Sequence, residues 1–271
     1  MRRGSRLLTC GGVAVIAVTV TVLSAQERAL TPEQMGEFLR TAEIVNSERT
    51  RKGLTQPWRL TLSDGRMTHD ASFQSVNIRR NNASFRGGGA ELNFVDSFAY
   101  NIAAYRLAGL VGLGDMIPVT VERRWKGERG AVSWWIDAQF DDGERTDLGV
   151  DPPDSRSWNQ QVRRLFVFSA LVQDSDRNPG NTLITDAWKV WMIDFTRAFR
   201  LAPELHNLDG LVRCDRDLLA KLRALTQEQV EEVAADYLTA LEIGAVMIRR
   251  DRLVAHFEQL IAERGEDRVL Y

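Results

Sequence analysis

The spacing of apolar residues changes along this chain, and each change predicts an element. Residues 7–23 are apolar almost throughout, broken only by threonine, glycine and Cys10. Past residue 30 the apolar runs shorten. Thr31-Pro32-Glu33-Gln34 reads as a capping box with proline at the first helical position, and predicts a helix to about Val45. Trp58-Arg59-Leu60-Thr61-Leu62 alternates as a half-buried strand does, Asp64-Gly65 is a hairpin turn, and a second strand returns through Ala71 and Phe73 to Val76. Residues 77–93, with Asn81-Asn82 and Gly87-Gly88-Gly89, read as a flexible loop. A helix is expected to open at Asp96, with Phe98, Ile102, Tyr105 and Leu110 on its apolar face and Gly112 and Gly114 at its end. Strands follow at 117–121 and 131–136, around a turn at 127–130.

The second half is written at helical spacing. Trp158, Val162, Leu165, Phe166 and Ser169 mark one helix, and 182–184 and 189–193 are two short strands after it. Thr226-Gln227-Glu228-Gln229 is a second capping box. Val230, Val233, Ala234, Tyr237, Leu238 and Leu241 then share a face, and a last helix covers about 243–262. Strands first and helices afterwards predict an α+β protein of two lobes. Residues 26–140 form the first lobe and 154–271 the second. The acidic stretch 141–153, with two glycines and two prolines, is read as the hinge.

The N-terminal apolar run carries a different message. Arg2, Arg3 and Arg6 precede it, and Ser24-Ala25 closes it. A basic start, an apolar middle and a small residue at the boundary make a secretory signal. Cleavage after Ala25 is one reading. An uncleaved anchor, with the arginines held in the cytoplasm, is the other. Both export the domain, to the periplasm, to the extracellular space, or to the outer side of the inner membrane. Contact with a membrane follows only if the segment stays. Cys10 follows Thr9 with almost no apolar run upstream, so it does not read as a lipidation site.

Composition removes several classes. The formal net charge of the whole chain is −2; residues 1–25 hold three arginines and no acid, so without them it is −5. That argues against a nucleic-acid partner, which calls for a basic excess. Only Cys214 lies beyond residue 25, so no internal disulfide supports the exported part. His69, His206 and His256 are too far apart in sequence for a zinc motif. Neither a G-x-S-x-G elbow nor a Walker-type phosphate loop is present.

Chemistry concentrates in Asp174-Ser175-Asp176-Arg177-Asn178-Pro179-Gly180-Asn181 and, after two short strands, Ile193-Asp194-Phe195. Three oxygen donors, Asp176, Asn181 and Asp194, thereby sit on loops around a small hairpin. Phosphoryl transfer uses such a set: one acid to orient the attacking hydroxyl, an amide and a second acid for a hard cation on the phosphates. An acid directly after Val190-Trp191-Met192-Ile193 is costly to bury without a partner or a metal.

A D-x-x-x-x-N loop followed across a β-hairpin by Asp-Phe resembles the protein-kinase-like superfamily. The D-R-N-x-x-N form is most similar to its atypical branch, the phosphoinositide-kinase-like and HipA-like proteins. The segments Asn101-Ile102-Ala103-Ala104-Tyr105-Arg106-Leu107 and Asp176 to Thr185 also resemble a group of uncharacterised bacterial exported proteins. The resemblance covers about residues 57–200 in order of elements. It implies a two-lobed kinase-like fold, Asp176 as catalytic base, Asn181 and Asp194 as metal ligands, and ATP with Mg²⁺ or Mn²⁺ as cofactor. The phosphoryl acceptor is left open.

The chain departs from the family at the phosphate grip. Where kinase-like members carry a lysine on the strand after the nucleotide-covering hairpin, this chain has Gln74; where its glutamate partner belongs, Asn101. Two amides replace a charged pair. Glutamine still donates to a phosphate oxygen, but without the charge that strengthens the contact. Of the glycine-rich cover only Asp64-Gly65 is at the expected turn, so Asp64, Gly65 and Gln74 are the candidate nucleotide contacts. Thr196 stands where glycine follows the metal-binding Asp-Phe. Two readings from other classes stay open: a non-catalytic, pseudokinase-type scaffold on the same fold, and a calcium-stabilised extracellular module. In the latter, Asp174, Asp176 and Asn178 would take positions 1, 3 and 5 of a calcium loop, against Pro179 at position 6 and Thr185 at 12.

Overall fold

The computed structural model describes residues 30–50, 57–84, 90–205 and 208–271; the apolar leader and Gly87–Gly89 lie outside these. The first lobe is a five-stranded antiparallel sheet in the order β1-β2-β3-β7-β6. Its strands are β1 (Glu43–Arg49), β2 (Trp58–Ser63), β3 (Thr68–Gln74), β6 (Thr120–Trp125) and β7 (Glu128–Trp134). Period-two alternation places Leu60, Leu62, Ala71, Phe73, Val121 and Val132 on one buried face. Helix α1 (Pro32–Thr41) covers that face with Phe38 and Leu39. Its capping box forms as expected, Thr31 accepting from Gln34 N. The helix stops at Thr41, and residues expected within it begin β1.

A second correction concerns 77–97. Residues 77–84 and 90–97 pair as antiparallel strands, β4 (Asn77–Ser84) and β5 (Ala90–Ser97), and are not a loop leading into a helix. Asp96 therefore ends a strand. Helix α2 starts three residues later (Ala99–Leu110) and has almost no polar face: seven of its residues are buried. Tyr100, Ala103, Ala104, Leu107 and Ala108 join the core of the second lobe, whereas Ile102 packs with Phe98 and Ala131 against the sheet. This one helix is thus shared by both lobes.

The second lobe is helical. Its elements are α4 (Ser155–Val172), α5 (Arg216–Ala224), α6 (Gln227–Ala234), α7 (Ala240–Arg264) and the short α8 (Glu266–Val269). Between sheet and helices, the short strand β8 (Phe140–Asp141) leads into the stretch 141–153, which holds helix α3 (Asp142–Asp147), capped by Asp141. Strands β9 (Thr182–Ile184) and β10 (Val190–Met192) complete a three-stranded sheet with β8. The lobe's core gathers Phe168, Leu171, Phe195, Phe199, Val246 and Phe257.

One helical expectation fails. The face drawn from Val230 to Leu241 is broken after Ala234, and Leu241 is 72% exposed. Arg249, in α7, is wholly buried; its guanidinium donates to the carbonyls of Leu171, Arg200 and Ala202 at 2.7–2.8 Å. Burial pulls its pKa down to about 10, still high enough to keep the charge at neutral pH. Cys214 is buried, which pushes its thiol up to about 12. Among the described residues no helix is long and apolar enough to cross a membrane. Together these elements make a two-lobed α+β protein, an antiparallel-sheet lobe on a helical one.

Candidate functional site

A cavity of about 600 Å³ separates the sheet from the β8-β9-β10 floor. Gln74, Asn101, Asp176, Asn181 and Asp194 all line it, so the structure brings together the residues singled out from spacing on both sides of the cleft. Ile117, Trp135, Ile136, Leu183 and Met192 supply apolar walls. Trp134 and Trp135 contribute to the lining, and Trp134 also stacks on His69 at 3.8 Å.

On the sheet side, Gln74 is the last residue of β3 and pairs with Ala131 of β7. Its carbonyl is crowded against Gly130: a Cβ there would stand 2.6 Å from Gln74 O and 2.4 Å from the Phe73 ring. Only glycine admits this approach. Asn101, on the first turn of α2, donates from Nδ2 to Gln74 Oε1 at 2.6 Å. Its own Oδ1 accepts the backbone N–H of Phe195 at 2.7 Å. Gln74 Nε2 lies 3.4 Å from Asp194 Oδ1, a long hydrogen bond. One chain of amides thus runs from the sheet through α2 to the acid loop.

On the helical side, α4 ends with Gln173 in the left-handed region, which turns the chain into the loop 174–181. Asp174 is fully buried and paired with Arg177, Nη2 to Oδ2 at 2.5 Å. Arg177 also donates to Asn181 O at 2.6 Å and Ile193 O at 2.8 Å, so one guanidinium clasps both functional loops. Asp174, at position 1 of the calcium-loop reading, therefore faces a cation of its own chain. Asn178 accepts from Gly180 N at 3.0 Å, and Asn181 donates from its side chain to Asp176 O at 3.1 Å. Asp194 sits at φ 57, a left-handed backbone that aspartate tolerates better than most residues. Thr196 Oγ1 donates to Asp194 Oδ1 at 3.1 Å, a contact glycine at that position does not have.

The acids of the cleft act on one another. Burial raises the pKa of Asp176, Arg197 opposes the shift, and Asp194, Asp174 and Asp96 add to it. Asp96 is likewise raised, by burial first, with Thr196 bonding against the shift and Asp194 adding to it. Asp96 went unrecognised in the sequence, where it read as a helix start.

Asp64 and Gly65 do not belong to the site. They form the turn at the other end of the β2–β3 hairpin, where Asp64 accepts from Arg66 N and Met67 N at 2.8 and 2.9 Å. Five register positions separate that end from the Trp58–Phe73 pair, roughly 17 Å along the strands. Pro57, where the β1–β2 connection enters β2, lines the cavity instead. Arg79 and Arg80 line a neighbouring cavity, where Arg79 pairs with Glu242 at 3.3 Å.

The donor set fits a hard divalent cation. As metal ligands Asp194, Asn181 and Asp96 offer oxygen only, and Asp96 Oδ1 is a buried carboxylate oxygen with no hydrogen-bond partner among the described residues.

No family model matches the chain, and no curated protein matches it significantly. Solved structures do. The chain is similar to hydra Fam20 with sugar, at TM-score 0.65 and 15% identity over 88% of this chain and 91% of that one. It is similar to the Golgi casein kinase with Mn/ADP bound, at TM-score 0.64 and 12% identity, covering 88% and 78%. It is also similar to the Helicobacter pylori proinflammatory kinase CtkA, at TM-score 0.52 and 10% identity, covering 84% and 98%. At these identities the likeness speaks for architecture alone, and the architecture of this chain is the protein-kinase-like fold.

Proposed function

We propose that the cleft binds a nucleotide with Mg²⁺ or Mn²⁺ and transfers a phosphoryl group to a hydroxyl acceptor. The observation that carries this reading is that Asp176, Asn181 and Asp194 face Gln74 across one cavity. The Golgi casein kinase named above carries Mn/ADP, the kind of ligand pair this donor set suits. The apolar walls take the base. Asn181 and Asp194 would hold the metal, which offsets the charge of the phosphate oxygens when bound. Asp176 orients the acceptor hydroxyl and takes its proton. The hydroxyl oxygen bonds to the γ-phosphorus as the bond to the bridging oxygen breaks, and ADP leaves. We assign the chain to the atypical branch of the kinase-like proteins and to an exported location, periplasmic, extracellular or anchored on the outer side of the inner membrane.

The test is a thermal-shift titration of the full chain with ADP or ATP and Mn²⁺ or Mg²⁺. A ligand confined to the native state raises stability by RT ln(1 + [L]/Kd), about 2.7 kcal/mol at a hundredfold excess over Kd. The expected result is a shift that requires nucleotide and metal together and disappears in Asp194→Asn. The amide pair Asn101–Gln74 favours a second reading, a pseudokinase-type binding protein. That reading predicts the shift without ADP formation from ATP, or no shift at all.

A further inference from the structure

The proposed metal site, as assigned above, has one carboxylate, Asp194, and one neutral amide, Asn181. A divalent ion held by a single acid is weakly anchored, because hard cations draw most of their affinity from charged oxygens. Asp96 is placed to correct this. It is the penultimate residue of β5 and lines the same cavity as Asp194 and Asn181. The backbone around it is fixed: Ser97 N donates to Thr196 O at 2.9 Å, stitching the end of β5 to the loop that carries Asp194. Thr196 lies against both acids, and its hydroxyl donates to Asp194 Oδ1 at 3.1 Å. Asp96 Oδ1 is buried and has no hydrogen-bond donor among the described residues. A buried carboxylate oxygen in that condition costs free energy unless a cation or donor completes it.

We propose that Asp96 is a ligand of the cleft metal and supplies it with a second carboxylate from the end of β5. This rests on the metal–nucleotide reading above. Asn101, which holds Gln74 and Phe195 N, takes no part in it. The role also gives a reason for the end of β5 to be bonded to the loop that carries Asp194.

The test is Mn²⁺ binding to the ADP-saturated full chain, read by the electron paramagnetic resonance signal of free Mn²⁺ with an ADP-only blank. Variants are Asp96→Asn, Asp96→Glu, Asp194→Asn and, outside the site, Asp64→Asn. Asp96→Asn is expected to weaken Mn²⁺ binding by about tenfold or more, since even outer-shell partners of a metal are worth that much. Asp96→Glu, which keeps the carboxylate, should recover most of the loss, and Asp64→Asn should match the parent. The metal-free melting temperature of each variant identifies one that has failed to fold, and Asp96→Glu then carries the comparison. If Asp96→Asn binds Mn²⁺ within about twofold of the parent while Asp194→Asn does not bind, the inference is overturned. If the parent itself binds no Mn²⁺ with ADP, the metal–nucleotide reading is the one that fails, and the inference with it.

Discussion

The two walls of the cleft are built from the same kinds of hydrogen bond but not the same charges. The helical wall is ionic: Asp174 and Arg177 form a buried pair, and Asp176 and Asp194 add two more acids. The sheet wall is neutral: Gln74 and Asn101 hold each other by an amide contact of 2.6 Å. The sheet wall nevertheless keeps its connection to Asp194 and to Phe195 N. Alignment of a kinase-like cleft therefore does not require an ion pair; it requires a donor and an acceptor at the right places. What the neutral wall gives up is the long-range pull on phosphate.

The comparison breaks most sharply at Arg177. Arg177→Met strands a fully buried Asp174 and frees Asn181 O and Ile193 O. We expect a loss of about 3–5 kcal/mol in urea unfolding, as for other buried ion pairs cut on one side. Adding Asp174→Leu should return a large part of it, because the stranded charge is then gone. Asn101→Ala tests the neutral wall. It unpins Gln74 and leaves Phe195 N without an acceptor, for an expected cost of about 1–3 kcal/mol. The ordering of these two losses, ionic wall above neutral wall, is the content of the comparison, and the reverse order would refute it.

Gln74→Lys sharpens it further. A charged donor beside the phosphates should tighten ADP binding about fivefold, the difference of roughly 1 kcal/mol between charged and neutral hydrogen bonds. Calorimetry reads the change directly. The smallest effect concerns His69, whose pKa burial holds below the usual value. A histidine of lowered pKa favours the native state above its unfolded value of about 6.5, and that contribution is lost as pH falls through the native value. The parent should lose stability on acidification just below pH 6.5, and His69→Gln should show a shallower slope there. Equal slopes would remove His69 from the account.

Much of the site could be read from spacing, because loops around a short hairpin carry their chemistry in sequence order. Asp176, Asn181 and Asp194 are marked by the five-residue interval and by the two short strands expected at 182–184 and 189–193, which reappear as β9 and β10. Gln74 and Asn101 were reached by counting elements, and they meet. Asp64 and Gly65 failed through the same counting. β1 is an edge strand with only Ile44 and Ser47 partly buried, so it has no alternation to detect. With β1 unseen, the β2–β3 turn took the place of the β1–β2 connection. β4 and β5 escaped for a related reason: Arg79, Arg80, Asn81 and Asn82 are polar on both faces of the ribbon. Asp96 was hidden with them. Arg249 gave no sequence signal, since its three acceptors are backbone carbonyls from distant segments.

The amide latch has one more consequence, for the conditions under which the cleft stays aligned. A lysine–glutamate pair weakens as salt screens it, and it fails in acid when the carboxylate is protonated. Gln74 and Asn101 carry no charge and do not titrate; the single formal charge in their chain is that of Asp194. The contact between β3 and α2 is therefore indifferent to ionic strength, and registration of the upper lobe on the acid loop is set by geometry in fresh water and in brine alike.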